Sequence, residues 1–211
     1  MKNIKYWIVK NPDLAFAVLL AICVYSYFAL TNEFFATHRT GYAIMERFAV
    51  LGLVGLALTL CIIAGEIDLS IGSNAALAAV IVVRFTDSLG AVTALVIAIL
   101  ISTLVGAIQG YFIAYLRVRA IVLTVGTLML LRGVALFAAQ EKTVMLTDFR
   151  VPDFISAKMF LYFSPASLLV IAMFIVVGLF MTFTRYGREI YAIGGARKEA
   201  IAAGIDLKRP M

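Results

Sequence analysis

Ile63-Ala-Gly-Glu-Ile-Asp-Leu-Ser-Ile-Gly-Ser-Asn74 places two carboxylates, Glu66 and Asp68, between two long apolar runs. An acid at the centre of a membrane helix costs about 2.5–3.5 kcal/mol on insertion scales, so it faces protein, water or a partner. Gly65 suits the end of one helix, Asp68 or Ser70 can cap the next by accepting backbone N–H bonds, and Gly72 permits close approach. Asp68 would also sit at the positive end of that helix's dipole. The stretch therefore reads as a broken-helix turn between a second and a third span, and the short run that follows, Ser70–Phe85, favours re-entry or strong tilt. Three roles are compatible with it: a solvated turn with a cap, a gate or substrate passage, and direct charge chemistry such as proton coupling. The third needs a second buried titratable group, and outside the turn the spans offer only Arg132.

Composition agrees with this membrane reading. The chain has 211 residues, 64% of them apolar and 14% charged, with a mean hydropathy of +1.03, against roughly 45–50% and about 25% in soluble domains. A soluble core cannot absorb that apolar surface, so the excess faces lipid. Four prolines, 15 glycines and two cysteines exclude collagen-like repeats and a disulfide scaffold. Cys23 and Cys61 lie in apolar runs and read as small hydrophobes.

Six spans are predicted, at about Leu14–Leu30, Ala43–Ala64, Ser70–Phe85, Ala91–Leu116, Ile121–Ala139 and Ser164–Thr184. The fold class is all-α, a polytopic helical membrane protein of about six transmembrane helices. With the N-terminus inside, the inside segments hold 11 basic residues: Lys2, Lys5, Lys10, Arg117, Arg119, Arg185, Arg188, Arg197, Lys198, Lys208 and Arg209. The outside segments hold six, with Glu46 and Arg47 counted among the outside charges, and Arg132 lies within the fifth span. Acidic residues divide evenly, so only the basic ones discriminate, as the positive-inside rule requires. The net charge of +6 is thereby explained by topology and gives no support to nucleic-acid binding. Tyr6 and Trp7, Tyr25, Tyr27 and Phe28, and Tyr162 and Phe163 flank the spans as interfacial aromatics do.

Ile67-Asp-Leu-Ser-Ile-Gly-Ser73 is echoed by Ile121-Val-Leu-Thr-Val-Gly-Thr127. The shared hydroxyl, Gly, hydroxyl order predicts that each helix is capped and packed in the same way. Gly106-Ala-Ile-Gln-Gly110 is a G-x-x-x-G surface expected to let another helix of the chain cross closely. Asn74, Gln109, Thr124, Thr127, Arg132 and Gln140 are the polar groups available to line a pathway, and Arg132 is a candidate partner for Asp68. His38 alone in an outside loop makes no nucleophile or metal cluster, so neither catalysis nor a metal site is expected.

After Thr184 the composition turns polar and basic. A short helix is expected over about Arg197–Ala203, bounded by Gly194-Gly195 and Gly204, suited to anchoring at anionic lipid or to docking a soluble partner. GEIDLSIGS (65–73), TVGTLMLLRG (124–133) and GREIYAIGGARKEAIAAGI (187–205), three motifs in order over most of the chain, resemble the permease subunits of bacterial ABC importers for simple sugars, the ribose, xylose, arabinose and rhamnose group.

That resemblance implies a second permease subunit, two cytoplasmic ATP-binding subunits with their ATP and Mg, and a periplasmic or extracellular sugar-binding protein, all at the bacterial inner membrane. Residues 1–184 would form the transmembrane domain. The segment 185–211 would carry the cytoplasmic coupling loop, with Gly187, Arg188, Tyr191, Ala192, Gly194, Gly195, Ala200 and Gly204 at the matching positions. The chain has no G-x-x-x-x-G-K-[ST] loop of its own. Family permeases continue for about four more spans and usually carry Asn where Ala196 stands, so a shortened chain is expected. A secondary transporter or channel is the alternative, and it should show titratable pairs on several helices.

Overall fold

The computed structural model describes residues 10–142, 149–160 and 162–205. The expected positions of Lys2, Lys5, Tyr6 and Trp7, and of Asp206, Lys208 and Arg209, lie outside them. In order, the helices are α1 (Pro12–Thr31), α2 (His38–Ile63), α3 (Ile71–Leu89), α4 (Ala91–Ala114), α5 (Ala120–Ala139), α6 (Arg150–Ile155), α7 (Pro165–Phe183), α8 (Arg185–Gly195) and α9 (Arg197–Ala202). No strand occurs among the described residues.

Helix starts follow short polar residues. Pro12 and Pro165 open α1 and α7, where the missing N–H is no loss. Thr37 accepts the Thr40 N–H, which starts α2 five residues earlier than the apolar run suggests; Glu46 and Arg47, counted among the outside charges, lie within the helix. Ser164 and Ser167 form a reciprocal capping box at α7, and both are fully buried. Ser164→Ala strands the Ser167 N–H and is expected to cost about 1–2 kcal/mol. A thermal melt of the detergent-solubilised protein checks this, because Ser88→Ala at an exposed position should leave the midpoint unchanged.

Five helices, α1, α2, α4, α5 and α7, are long and apolar enough to cross a membrane among the described residues, not six. The exception is α3. Its last turns carry Arg84, Thr86, Asp87 and Ser88, which dilute the apolar run, and it packs more extensively than any other helix, against α4 and α5. Leu77, Ile81, Ala98, Leu131 and Ala135 form the core of that α3–α4–α5 group. Protein contacts therefore supply for α3 what hydropathy does not. At the far end of this group Arg84 Nε donates to the Ala138 carbonyl at 2.9 Å.

A second group is built on α2 and α7, joined by Phe48 stacked on Phe174 at 6.0 Å. The short helices α8 and α9 follow α7; α8 folds back against α2 and α9 packs on α8. The α8 helix is absent from the sequence reading, which places regular structure only at 197–203. It is initiated by Thr184, which closes α7 and accepts the Gly187 N–H at 3.0 Å. A Cβ on Gly187 would lie 2.3 Å from the Met181 carbonyl oxygen, so this corner closes only with glycine there. Residues 64–70 form the joint between the two helix groups.

Candidate functional site

The joint begins as a helix end. Gly65 stands at φ +79° and donates to the Ile62 carbonyl, and the Glu66 N–H reaches back to Cys61, the pair of bonds that defines a Schellman motif. The chain then runs extended to Ser70, where α3 starts. Asp68 Oδ1 accepts the Ser70 N–H and the Ser70 hydroxyl, both at 2.7 Å, and so holds the N-cap residue of α3 in place. Neither Asp68 nor Ser70 accepts an N–H from the first turn of α3, contrary to the expected cap.

Held by Asp68, the Ser70 hydroxyl accepts a hydrogen bond from Gln109 Nε2 at 2.8 Å. Ser70 and Gln109 are 2% and 7% exposed, so this is a buried network, and it sits about 8 Å inside the end of α4. Thr124 on α5 is 1% exposed and its hydroxyl faces the Ile67 and Ile121 carbonyls, each at 3.4 Å. The echo between 67–73 and 121–127 thus does not give matching caps: Thr124 lies one turn inside α5, whose N-cap Arg119 makes no side-chain cap bond. One carboxylate, a hydroxyl and an amide tie the joint to α4, and Thr124 adds α5.

On its other flank the joint meets the polar tail. A Cβ on Gly194 would fall 1.8 Å from the Ile63 carbonyl oxygen, and one on Gly65 would fall 3.2 Å from Gly194 Cα, so the two backbones touch. Arg197 donates to Glu66 Oε1 at 2.9 Å, with side chains 44% and 22% exposed. Two sets of residues that the sequence treats separately, the acids at 66 and 68 and the glycine-rich tail, therefore share one structural unit.

A cavity of about 570 Å³ opens beside the network, bordered by Asp68, Gln109, Thr124, Cys61, Phe180 and Met181. Gly106 and Gly110 face this cavity, and a Cβ on Gly106 would meet nothing within 4 Å. At Gly106, therefore, no close helix crossing is formed among the described residues. Gly72 likewise has open space where a Cβ would stand.

Residues 41–210 match the family described as the permease component of branched-chain amino acid transport systems. The chain belongs to this permease family. Curated relatives include the D-allose transport system permease AlsC of Escherichia coli K12, 28% identical over 90% of this chain and 59% of the relative. The L-arabinose permease AraH of the same strain is 30% identical over 97% and 61%. The autoinducer 2 import permease LsrC of Photorhabdus laumondii is 27% identical over 94% and 60%. The chain spans about three-fifths of the length of these relatives. No solved structure gives a significant match.

The permease does not gather all the polar residues picked from sequence. Arg132 is exposed on α5 and forms no ion pair with Asp68. Thr127 bonds back to the Leu123 carbonyl of its own helix at 2.9 Å, and Asn74 Nδ2 reaches the Ser102 carbonyl at 3.4 Å, leaving its buried Oδ1 unpartnered. Gln140 is the left-handed C-cap of α5, remote from the joint. Arg188 donates to the Phe183 carbonyl, Tyr191 is exposed, Ala200 is buried and Gly204 closes α9 at φ +82°.

A second acid was missed. Glu46 lies in the third turn of α2, partly buried with Oε1 unpartnered, one turn from Tyr42. The Tyr42 hydroxyl donates to the Ser156 carbonyl, and Lys158 lies over its ring at 5.1 Å. The signal was present in the sequence as a charged Glu-Arg pair at 46–47 inside the predicted second span. His38 bonds the Tyr162 hydroxyl at 2.9 Å, a structural contact. No group of three or more metal-binding side chains occurs among the described residues.

Proposed function

We propose that this permease is the membrane subunit of an ATP-driven importer of neutral monosaccharides in the bacterial inner membrane, with its N-terminus on the cytoplasmic side. In this reading α8 and α9 receive the motion of a separate ATP-binding subunit. The joint at 64–70 passes that motion to α3, α4 and α5, and a second permease subunit and an external sugar-binding protein complete the assembly. The observation that carries the proposal is the docking of Gly194 and Arg197 on residues 63–66. A rigid contact at one end and a buried hydrogen-bonded network at the other let a small displacement of α8 tilt a whole helix group.

Support for the sugar class comes from the allose and arabinose permeases among the relatives and from the site's chemistry. Amide and hydroxyl groups beside apolar and aromatic walls suit a neutral polyol. Asp68 holds Ser70 by two bonds to one carboxylate oxygen, which suits an anchor for the joint. ATP and its Mg would be held by the partner subunit.

The Glu66–Arg197 pair gives a specific test. Exposed pairs contribute about 0.2–1 kcal/mol to stability, so Glu66→Arg should barely change the melting midpoint. If the pair transmits motion, the same change lowers ATP-driven uptake of radiolabelled arabinose or allose several-fold, and Glu66→Arg with Arg197→Glu recovers at least half of it. Uptake of neither sugar by the unaltered assembly would overturn the substrate class. Uptake indifferent to Glu66→Arg would overturn the coupling route.

A further inference from the structure

On the same side of the molecule as the joint, a cavity of about 740 Å³ lies between α9 and the loop connecting α4 to α5. Three arginines line it, Arg117 and Arg119 from the loop and Arg197 from the start of α9, against a single carboxylate, Glu66. Arg117 and Arg119 are exposed, and no ion pair with a described acid neutralises either. Arg117 is held at φ +56°, a left-handed conformation unusual for a residue with a Cβ. The rest of the wall is aliphatic, including Ile113, Val118, Ile121 and Ile201.

We infer that this groove binds the phosphate headgroup of an anionic phospholipid, with Arg117 and Arg119 taking the phosphate and the aliphatic wall taking the glycerol and first acyl carbons. Charge decides the sign of the ligand: the described lining residues leave an excess of two positive charges, and guanidinium groups match phosphate oxygens with paired N–H donors. The wall decides the type. A free anion needs no aliphatic face, whereas a lipid presents a phosphate and hydrocarbon within a few ångströms of each other. Position agrees as well. Tyr111 and Tyr115 stack at 5.1 Å on the last turn of α4, just before Arg117, and exposed tyrosines at a helix end mark the headgroup level of a bilayer.

Because Arg197 and Glu66 belong to both the groove and the joint, a bound headgroup would brace the contact between α9 and the turn. The lipid site is thus placed to tune coupling, but its existence does not depend on what the permease carries.

The test is lipid retention by the assembled transporter, purified from membranes in neutral detergent and measured by native mass spectrometry after equilibration with phosphatidylglycerol or phosphatidylcholine. The unaltered chain should retain phosphatidylglycerol and not phosphatidylcholine. Arg117→Gln with Arg119→Gln should weaken that binding roughly 30-fold, from about 1 kcal/mol per basic residue near the headgroup and 1.4 kcal/mol per tenfold. Arg39→Gln with Lys158→Gln, at the opposite end, should not. Equal retention of the two lipids, equal retention by the two double variants, or complete displacement by millimolar inorganic phosphate would each overturn the proposal, the last by showing an ion site only.

Discussion

Gly194→Ala is expected to lower ATP-driven uptake at least tenfold while the chain still inserts and reaches the membrane in normal amount. The added Cβ would stand 1.8 Å from the Ile63 carbonyl oxygen, 2.8 Å from its carbon and 3.0 Å from the Gly65 nitrogen. All three are backbone atoms, so no side chain can rotate out of the way. Either α8 lifts off the end of α2 or the Schellman turn opens, and overpacking of this kind costs about 1–3 kcal/mol. The neighbouring glycine supplies the control, since a Cβ on Gly195 meets nothing within 4 Å. Gly195→Ala should keep uptake within twofold of the unaltered protein. Comparable uptake by both variants, measured at equal membrane abundance, would show that the α8 contact does not transmit the ATPase motion.

The all-helical membrane fold was legible because lipid imposes a simple rule on composition and run length. Four of the spans were placed to within two residues at each end of α1, α4, α5 and α7. The errors have definite physical sources. At α2 the Thr37 cap, a local hydrogen bond, starts the helix at His38, across polar residues that precede the apolar run beginning at Ala43. At α3 hydropathy and packing disagree: α4 and α5 pack on Leu77 and Ile81, while Arg84, Asp87 and Ser88 stay exposed. The α8 helix escaped because its sequence, Arg185-Tyr-Gly-Arg-Glu-Ile-Tyr-Ala-Ile-Gly-Gly195, contains three glycines that count against helix by propensity. Two of those glycines are there for contacts with Met181 and Ile63.

The site divides in the same way. Gly65 as a helix terminator follows from local chemistry, which sequence spacing records, and so does a local bond from Asp68 to the start of α3, although it holds Ser70 and caps no first-turn N–H. That Gln109 meets Ser70 across 39 residues, or that Arg197 meets Glu66 across 131, depends on how helices are arranged in space. Residue types mark such groups as candidates without pairing them. Arg132 shows the converse: a basic residue predicted inside a span was a reasonable partner for Asp68, yet Asp68 Oδ1 takes both its bonds from Ser70, two residues away.

Asp68 is where stability and coupling meet. Asp68→Ala removes the acceptor of two short hydrogen bonds and leaves the Ser70 N–H, in a residue only 2% exposed, without a partner. Hydrogen bonds to a charged group contribute about 1.5–3 kcal/mol each and an orphaned buried donor costs about 1–3 kcal/mol, so a net loss of about 3 kcal/mol is expected once the relief of desolvating the carboxylate is subtracted. For a chain of this size that is roughly 6–12 °C in the melting midpoint. Asp68→Asn keeps an oxygen acceptor and should lose no more than about 1 kcal/mol. The network makes a further demand that a bond to the Ser70 N–H alone does not. Ser70→Ala strands the Gln109 amide, so Asp68→Ala combined with Ser70→Ala must destabilise by less than the sum of the two single changes. Additive effects would mean that Gln109 reads the position of Ser70 without any help from Asp68, and the carboxylate would then fix the Ser70 backbone and nothing more.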